Sequence, residues 1–431
     1  MMVNAIRLKV ARMLVLIAVG AFHPVIAGES FPCPRGIYVL DSLAGTTNIN
    51  GVSMRDANIR TNDFVTGYAL RADWGTMEPA QDNFDFTLVD WNVRRLASRG
   101  LKLSFLFMNT DPAWIAQTPG VAVWYDTGVG RNRAVPWDAF LLTRMEVFLH
   151  ALAEHTIDGV KLKDHPVLEV VNAGLVGAKL AIRDPAVPMR SMSGYTRANL
   201  TDAVLRNLRA AVTNFPSQFV QIGFWPVTDT QSSPTLWEAL RQSILAEFNG
   251  VTRPRVGFWM ENLSASRPAP GQDPISGKPV TSFGAPLYLS QTKTWANFQA
   301  LTSWHQPFNN YDASVTNATP GDGMLFANST YGSTYFELYV ADIDVAAYRA
   351  EFEKWHARLF PPERLSIALG APGGIQLLWP SWPGGCYQVV RSADLRTWTN
   401  AGPAVIATTN LTAWTETPPL LKQFYRLLTL P

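Results

Sequence analysis

Eight short runs rich in β-branched and aromatic residues recur along most of this chain, and longer stretches with apolar residues spaced by three and four separate them. That alternation is the pattern of repeated βα units, not of a sandwich. The runs fall at residues 36–41, 65–71, 101–107, 167–171, 219–224, 255–260, 295–301 and 334–339. Helical spacing is clearest over 86–99, 137–155, 195–213, 234–248 and 345–360. Eight parallel strands with crossover helices close most simply into a (β/α)8 TIM barrel, an α/β fold whose function sits in the loops after the strands. Two such loops, 109–136 and 264–286, are long and rich in Gly and Pro.

The 431 residues exceed what one such barrel needs, and the texture changes after Pro361-Pro362. From there short alternating runs (375–379, 387–391, 424–428) are broken by Gly, Pro and Asn, which predicts a small all-β C-terminal module over 363–431. Residues 1–27 read as a signal peptide: Arg7, Lys9 and Arg12 precede an apolar run from Met13 to Phe22, and Ala27 offers a small residue before a cut. The barrel is therefore assigned to 28–362, and the mature protein is expected to be secreted or periplasmic. No later stretch is apolar enough to span a membrane. Cys33 and Cys386 lie in different predicted domains and are expected to be two separate thiols. With 47% hydrophobic residues, 16% charged residues and a net charge of +2, the chain has neither a disordered composition nor a basic field for nucleic acid.

Residues 67–79 (GYALRADWGTMEP), the link QDNFDF at 81–86 and the helix that closes on Gly100 resemble the second βα unit of the clan of (β/α)8 glycoside hydrolases that includes β-galactosidases. A looser resemblance runs through DPAW at 111–114, VPWD at 135–138 and YFELY at 335–339. The run CYQVVRSADLRTWT at 386–399, with FYR at 424–426, is similar to a small accessory β module of secreted bacterial proteins. The resemblance implies a carbohydrate ligand, no cofactor, and a pair of carboxyl groups flanking the scissile bond. Those groups stand about 5 Å apart for retention or about 6.5–9.5 Å apart for inversion.

In that clan one Glu follows an Asn at the end of strand four, and a second Glu ends strand seven. Here Asn172 is followed by Ala173, and strand seven offers Gln299. An Ala donates no proton, and an amide makes a poor nucleophile. Either the chemistry has moved to other strands or the barrel binds glycans without cleaving them.

The replacement acids are Glu337, set in an apolar strand where an unpartnered charge is costly, and Glu261 just after strand six. Asp73 and Asp111 are candidate ligands of sugar hydroxyls, as are Asn172 and Gln299. Glu78 is assigned to holding the loop before Pro79, and Asp342 to beginning the last helix. Glu169, three residues before Asn172, should face the opposite side of a regular strand. Trp74, Trp114, Trp225, Trp259 and Trp304 fall at or just beyond the ends of five strands, which predicts a rim of indoles suited to stacking on sugars. His305 beside Trp304 joins them as a ligand-binding candidate. The six histidines suggest no zinc site, and there is no nucleophile elbow or phosphate loop.

Overall fold

The structure is a computed structural model that describes residues 31–40, 61–108, 111–174, 181–185, 187–250, 254–270, 283–305, 317–360, 365–370, 374–381, 386–408, 411–416 and 424–430. Residues 1–27, read from the sequence as a signal peptide, lie outside the described residues. Eight parallel strands form the barrel: β1 (Gly36–Leu40), β2 (Val65–Asp73), β3 (Lys102–Met108), β4 (Leu168–Asn172), β5 (Phe219–Phe224), β6 (Val256–Leu263), β7 (Ala296–Ala300) and β8 (Tyr335–Tyr339). Each pairs with the next, and β8 pairs back onto β1 in the register Tyr38–Glu337, so the sheet is closed.

Helices α1 (Thr87–Ala97), α2 (Ala139–Glu154), α3 (Arg197–Asn214), α4 (Leu236–Phe248), α5 (Pro320–Tyr331) and α6 (Arg349–Leu359) form the outer layer. Five of them match the spacing of the sequence to within a few residues. The sixth, α5, carries Gly321 and Gly323 and little amphipathic signal, yet it is sharply delimited. Thr319 and Asp322 make a reciprocal capping box, Pro320 opens the first turn, and Gly332 closes the helix in the left-handed region. Both glycines allow close packing, since a Cβ at Gly321 would meet the Glu351 carboxylate and one at Gly323 the Trp304 ring.

Alternation along the strands sorts the side chains. On β8, Tyr335, Glu337 and Tyr339 face the barrel axis, and Phe336 packs outward on Trp355 of α6. On β2 the inward set is Gly67, Ala69, Arg71 and Asp73. Gly67 is required there, because a Cβ would lie 2.2 Å from the Lys102 carbonyl. One irregularity changes an expectation: Leu103 pairs with Leu168 but Ser104 pairs with Val170, so Glu169 is an extra residue in β4. It turns inward on the same side as Asn172, and its Oε2 accepts a hydrogen bond from the Tyr38 hydroxyl at 2.7 Å.

Beyond residue 365 the chain forms two small antiparallel sheets. Ser366–Gly370, Gly374–Pro380 and Leu411–Glu416 make one, and Cys386–Ser392 with Thr399–Asn400, Val405–Ile406 and Phe424–Leu430 the other. They share a core of Leu377, Trp379, Tyr387, Val389 and Ala407, separate from the barrel core. Cys33 is a buried free thiol 3.3 Å from Thr334 Oγ1, and the Cys386 side chain lies outside the described ones. Among the described residues no helix is long and apolar enough to cross a membrane.

Candidate active site

Glu337 is the centre of the barrel interior. Only 1% of it is exposed. Its Oε1 accepts hydrogen bonds from Trp259 Nε1 at 3.2 Å and from the Tyr335 hydroxyl at 2.7 Å, and that hydroxyl lies 2.6 Å from Ser104 Oγ. Its Oε2 has no hydrogen-bond partner among the described residues and stands 4.0 Å from Arg71 Nη2. Burial pushes the carboxyl above its ordinary value, and Arg71, Tyr335 and Trp259 oppose that rise without cancelling it. Trp259 is itself wholly buried on β6.

Two residues farther along β6, Glu261 lies where the register with β7 breaks between Met260 and Leu263. It pairs with Arg183 Nη1 at 2.5 Å. The two acids sense each other, since the charge of Glu261 adds to the upward shift of Glu337. Arg183 comes from the loop after β4, where Ala181–Ile182 adds a short strand to the end of β5. Its guanidinium also lies over the Trp225 ring, 5.2 Å from the centroid. Trp225 meets Trp259 edge-on at 6.1 Å, and its buried Nε1 has no partner among the described residues.

Four buried amides complete the lining. Asn172 Oδ1 accepts from the Gly174 backbone, leaving Nδ2 unpartnered. Asn297 Nδ2 donates to Gln221 Oε1 at 2.6 Å, leaving Asn297 Oδ1 and Gln221 Nε2 open. Gln299, in register with Glu337, donates to the Ala300 carbonyl and approaches the Tyr339 hydroxyl at 3.4 Å, and its Oε1 is open. Including Arg71 Nε and Nη2, strands two, four, five, seven and eight thus direct donors and acceptors inward with no hydrogen-bond partner among the described residues. Buried polar atoms are rarely left so, which marks this interior as the place where a polar ligand or solvent would be held.

Several residues expected at the mouth lie elsewhere. β2 runs on to Asp73, so alternation turns Trp74 outward. It is fully buried against Phe148 of α2 and donates to Glu78 Oε2 at 2.8 Å. Trp114 packs edge-on to Phe140, under Arg144, and donates to the Glu78 carbonyl. Glu78 is buried and bound by Arg144, as befits the loop-holding role read from the sequence. Asp111 is buried in an ion pair with Arg133, which also holds Asp126 of a hairpin (Val123–Asp126 and Arg131–Ala134) inside the long β3 loop.

Trp304 lies half-buried against Gly323 of α5. His305 is exposed, and its backbone N–H donates to Asp342 Oδ1 at 2.8 Å. Asp342 sits in a separate helical turn, Val340–Ile343, not at the start of α6; it is buried and also accepts from Ser303. Asp73 faces inward and caps the following turn through the Gly75 backbone at 3.1 Å. Of the five predicted rim indoles, then, Trp225 and Trp259 belong to the site. Arg71, Arg183, Gln221, Asn297 and Tyr335 were not singled out from the sequence. For the four on barrel strands the signal is a polar residue on the inward parity of an otherwise apolar strand. Arg183 carried no such signal. Among the described residues no cluster of three or more His, Cys, Asp or Glu is placed to hold a metal ion.

No family model matches the sequence. No curated protein matches it either. Solved structures do match: xylanase 10B from Thermotoga maritima at 8% identity, covering 71% of this chain and 82% of that one with a TM-score of 0.40; a β-galactosidase from Bacillus circulans sp. alkalophilus at 14%, covering 78% and 57% with a TM-score of 0.45; and a glucosidase from Croceicoccus marinus at 10%, covering 92% and 96% with a TM-score of 0.39. The (β/α)8 architecture itself rests on the closed strand pairing.

Proposed function

We propose that this protein is a secreted glycoside hydrolase acting on a neutral oligo- or polysaccharide, with Glu337 as the proton donor and Glu261 as the second carboxylate. The observation that carries this reading is the contrast between the two acids. Glu337 is desolvated, pushed up and fixed through one oxygen, whereas Glu261 lies nearer the surface in an ion pair with Arg183. Two carboxyls whose environments differ in this way divide the roles of acid and of nucleophile or base. Protonated Glu337 donates from Oε2 to the glycosidic oxygen as that bond breaks, while Glu261 assists from the other side, directly or through water. Asn172 and Gln299 bind sugar hydroxyls through their open amide atoms, and Trp225 supplies an indole N–H. Export follows from residues 1–27.

A second reading is a barrel that binds glycans without turnover. It is favoured by Ala173, buried at the end of β4 where its N–H donates to the Gln221 carbonyl, and by the amide of Gln299 on β7. The deciding experiment is hydrolysis of aryl glycosides and of plant, algal and microbial polysaccharides by wild type, Glu337→Gln and Glu261→Gln, with glycan binding recorded in parallel. Turnover abolished by either substitution supports the hydrolase. Binding without turnover supports the second reading, and silence in both assays refutes the two together.

A further inference from the structure

We infer that Arg183 is a positioning residue: projecting from the β4 loop, it holds Glu261 in its working orientation. This rests on the proposed hydrolase reading. β4 ends at Asn172 and is followed by Ala173, so no carboxyl enters the mouth there. Eight residues beyond Ala173, the same loop returns as a strand, with Ala181 paired to Gly223 and Ile182 to Phe224 at the end of β5. That pairing fixes the backbone from which Arg183 projects.

Glu261 needs such a partner. It lies in the stretch of β6 where the ladder with β7 is irregular, so regular strand pairing does not set its backbone. The Arg183 guanidinium bonds it at 2.5 Å and rests on the Trp225 face, two restraints that leave the fork little freedom. A planar fork held on an indole orients a carboxylate in a way that a flexible ammonium does not. The pair is partly exposed, 46% for the Arg183 side chain and 22% for Glu261, so its contribution to stability is small. Its consequence is geometric: a reacting carboxylate displaced by about 1 Å loses about 100-fold in rate.

The test compares wild type with Arg183→Met and Arg183→Lys on whichever aryl glycoside or polysaccharide wild type hydrolyses best, with kcat and KM determined separately. Arg183→Met should lower kcat about 10- to 100-fold while KM stays within about twofold. Arg183→Lys should recover part of the loss, methylguanidinium added to Arg183→Gly should restore turnover, and the unfolding midpoint should not move. Unchanged kcat in Arg183→Met overturns the positioning role. So does a loss confined to KM, which would make Arg183 a substrate ligand. No turnover by wild type on any glycan overturns the hydrolase reading, and the inference falls with it.

Discussion

Glu337→Gln tests the electrostatics of the barrel interior without requiring a substrate. A free Glu titrates at about 4.3, and burial holds Glu337 above that. The folded state therefore keeps a proton that the unfolded chain has already released. The stability this contributes is fully present below the unfolded value. It is lost as pH rises through the folded one, at up to about 1.4 kcal/mol per pH unit between them. Gln has nearly the same shape, does not titrate and retains an oxygen for Trp259 and Tyr335, so the two proteins should be alike where both side chains are neutral.

Over an assay range of about pH 4 to 8, wild type should lose stability relative to the variant as pH rises, by up to about 2 °C in Tm per pH unit wherever the folded carboxyl still holds its proton. Glu169 is also pushed up by burial, but it is present in both proteins and drops out of the difference. Thermal unfolding of the pair across this range is the assay. A difference independent of pH would refute the reasoning, and wild type gaining on the variant would mean that Arg71 outweighs burial.

Two substitutions test the frame around the site. Glu78→Ala leaves the Trp74 indole without its acceptor and the buried Arg144 guanidinium with only the exposed Asp82 at 2.9 Å, and should cost about 3 kcal/mol in urea unfolding; a loss below about 1 kcal/mol would remove Glu78 as the anchor of that loop. Gly257→Ala places a methyl 1.8 Å from Trp295 Nε1, so the ring must move, and the urea midpoint should fall by the equivalent of about 1–3 kcal/mol. An unchanged midpoint there would show that Trp295 does not press on β6.

Local periodicity is a property of neighbouring residues, and the chain displays it openly. The eight strands, five of the six long helices and the texture of the C-terminal module could be read from spacing alone. So could two acids out of place in the setting of β6 and β8. Helix α5 escaped because the glycines that let it pack against Glu351 and Trp304 also erase its amphipathic signal.

What the sequence by itself determined, then, was which elements form and which inward positions carry polar groups. Only the tertiary structure decided which of these meet. Two residues of extra strand turned Trp74 from the mouth to the helix layer, and one bulge turned Glu169 inward. Barrel closure brought Arg71 to Glu337 across the β1–β2 and β8–β1 seams, and a returning loop brought Arg183 to Glu261 from 78 residues away. The physical reason is that a side chain's direction flips with each residue of register, and the register of strands far apart in sequence is fixed only when the whole sheet closes.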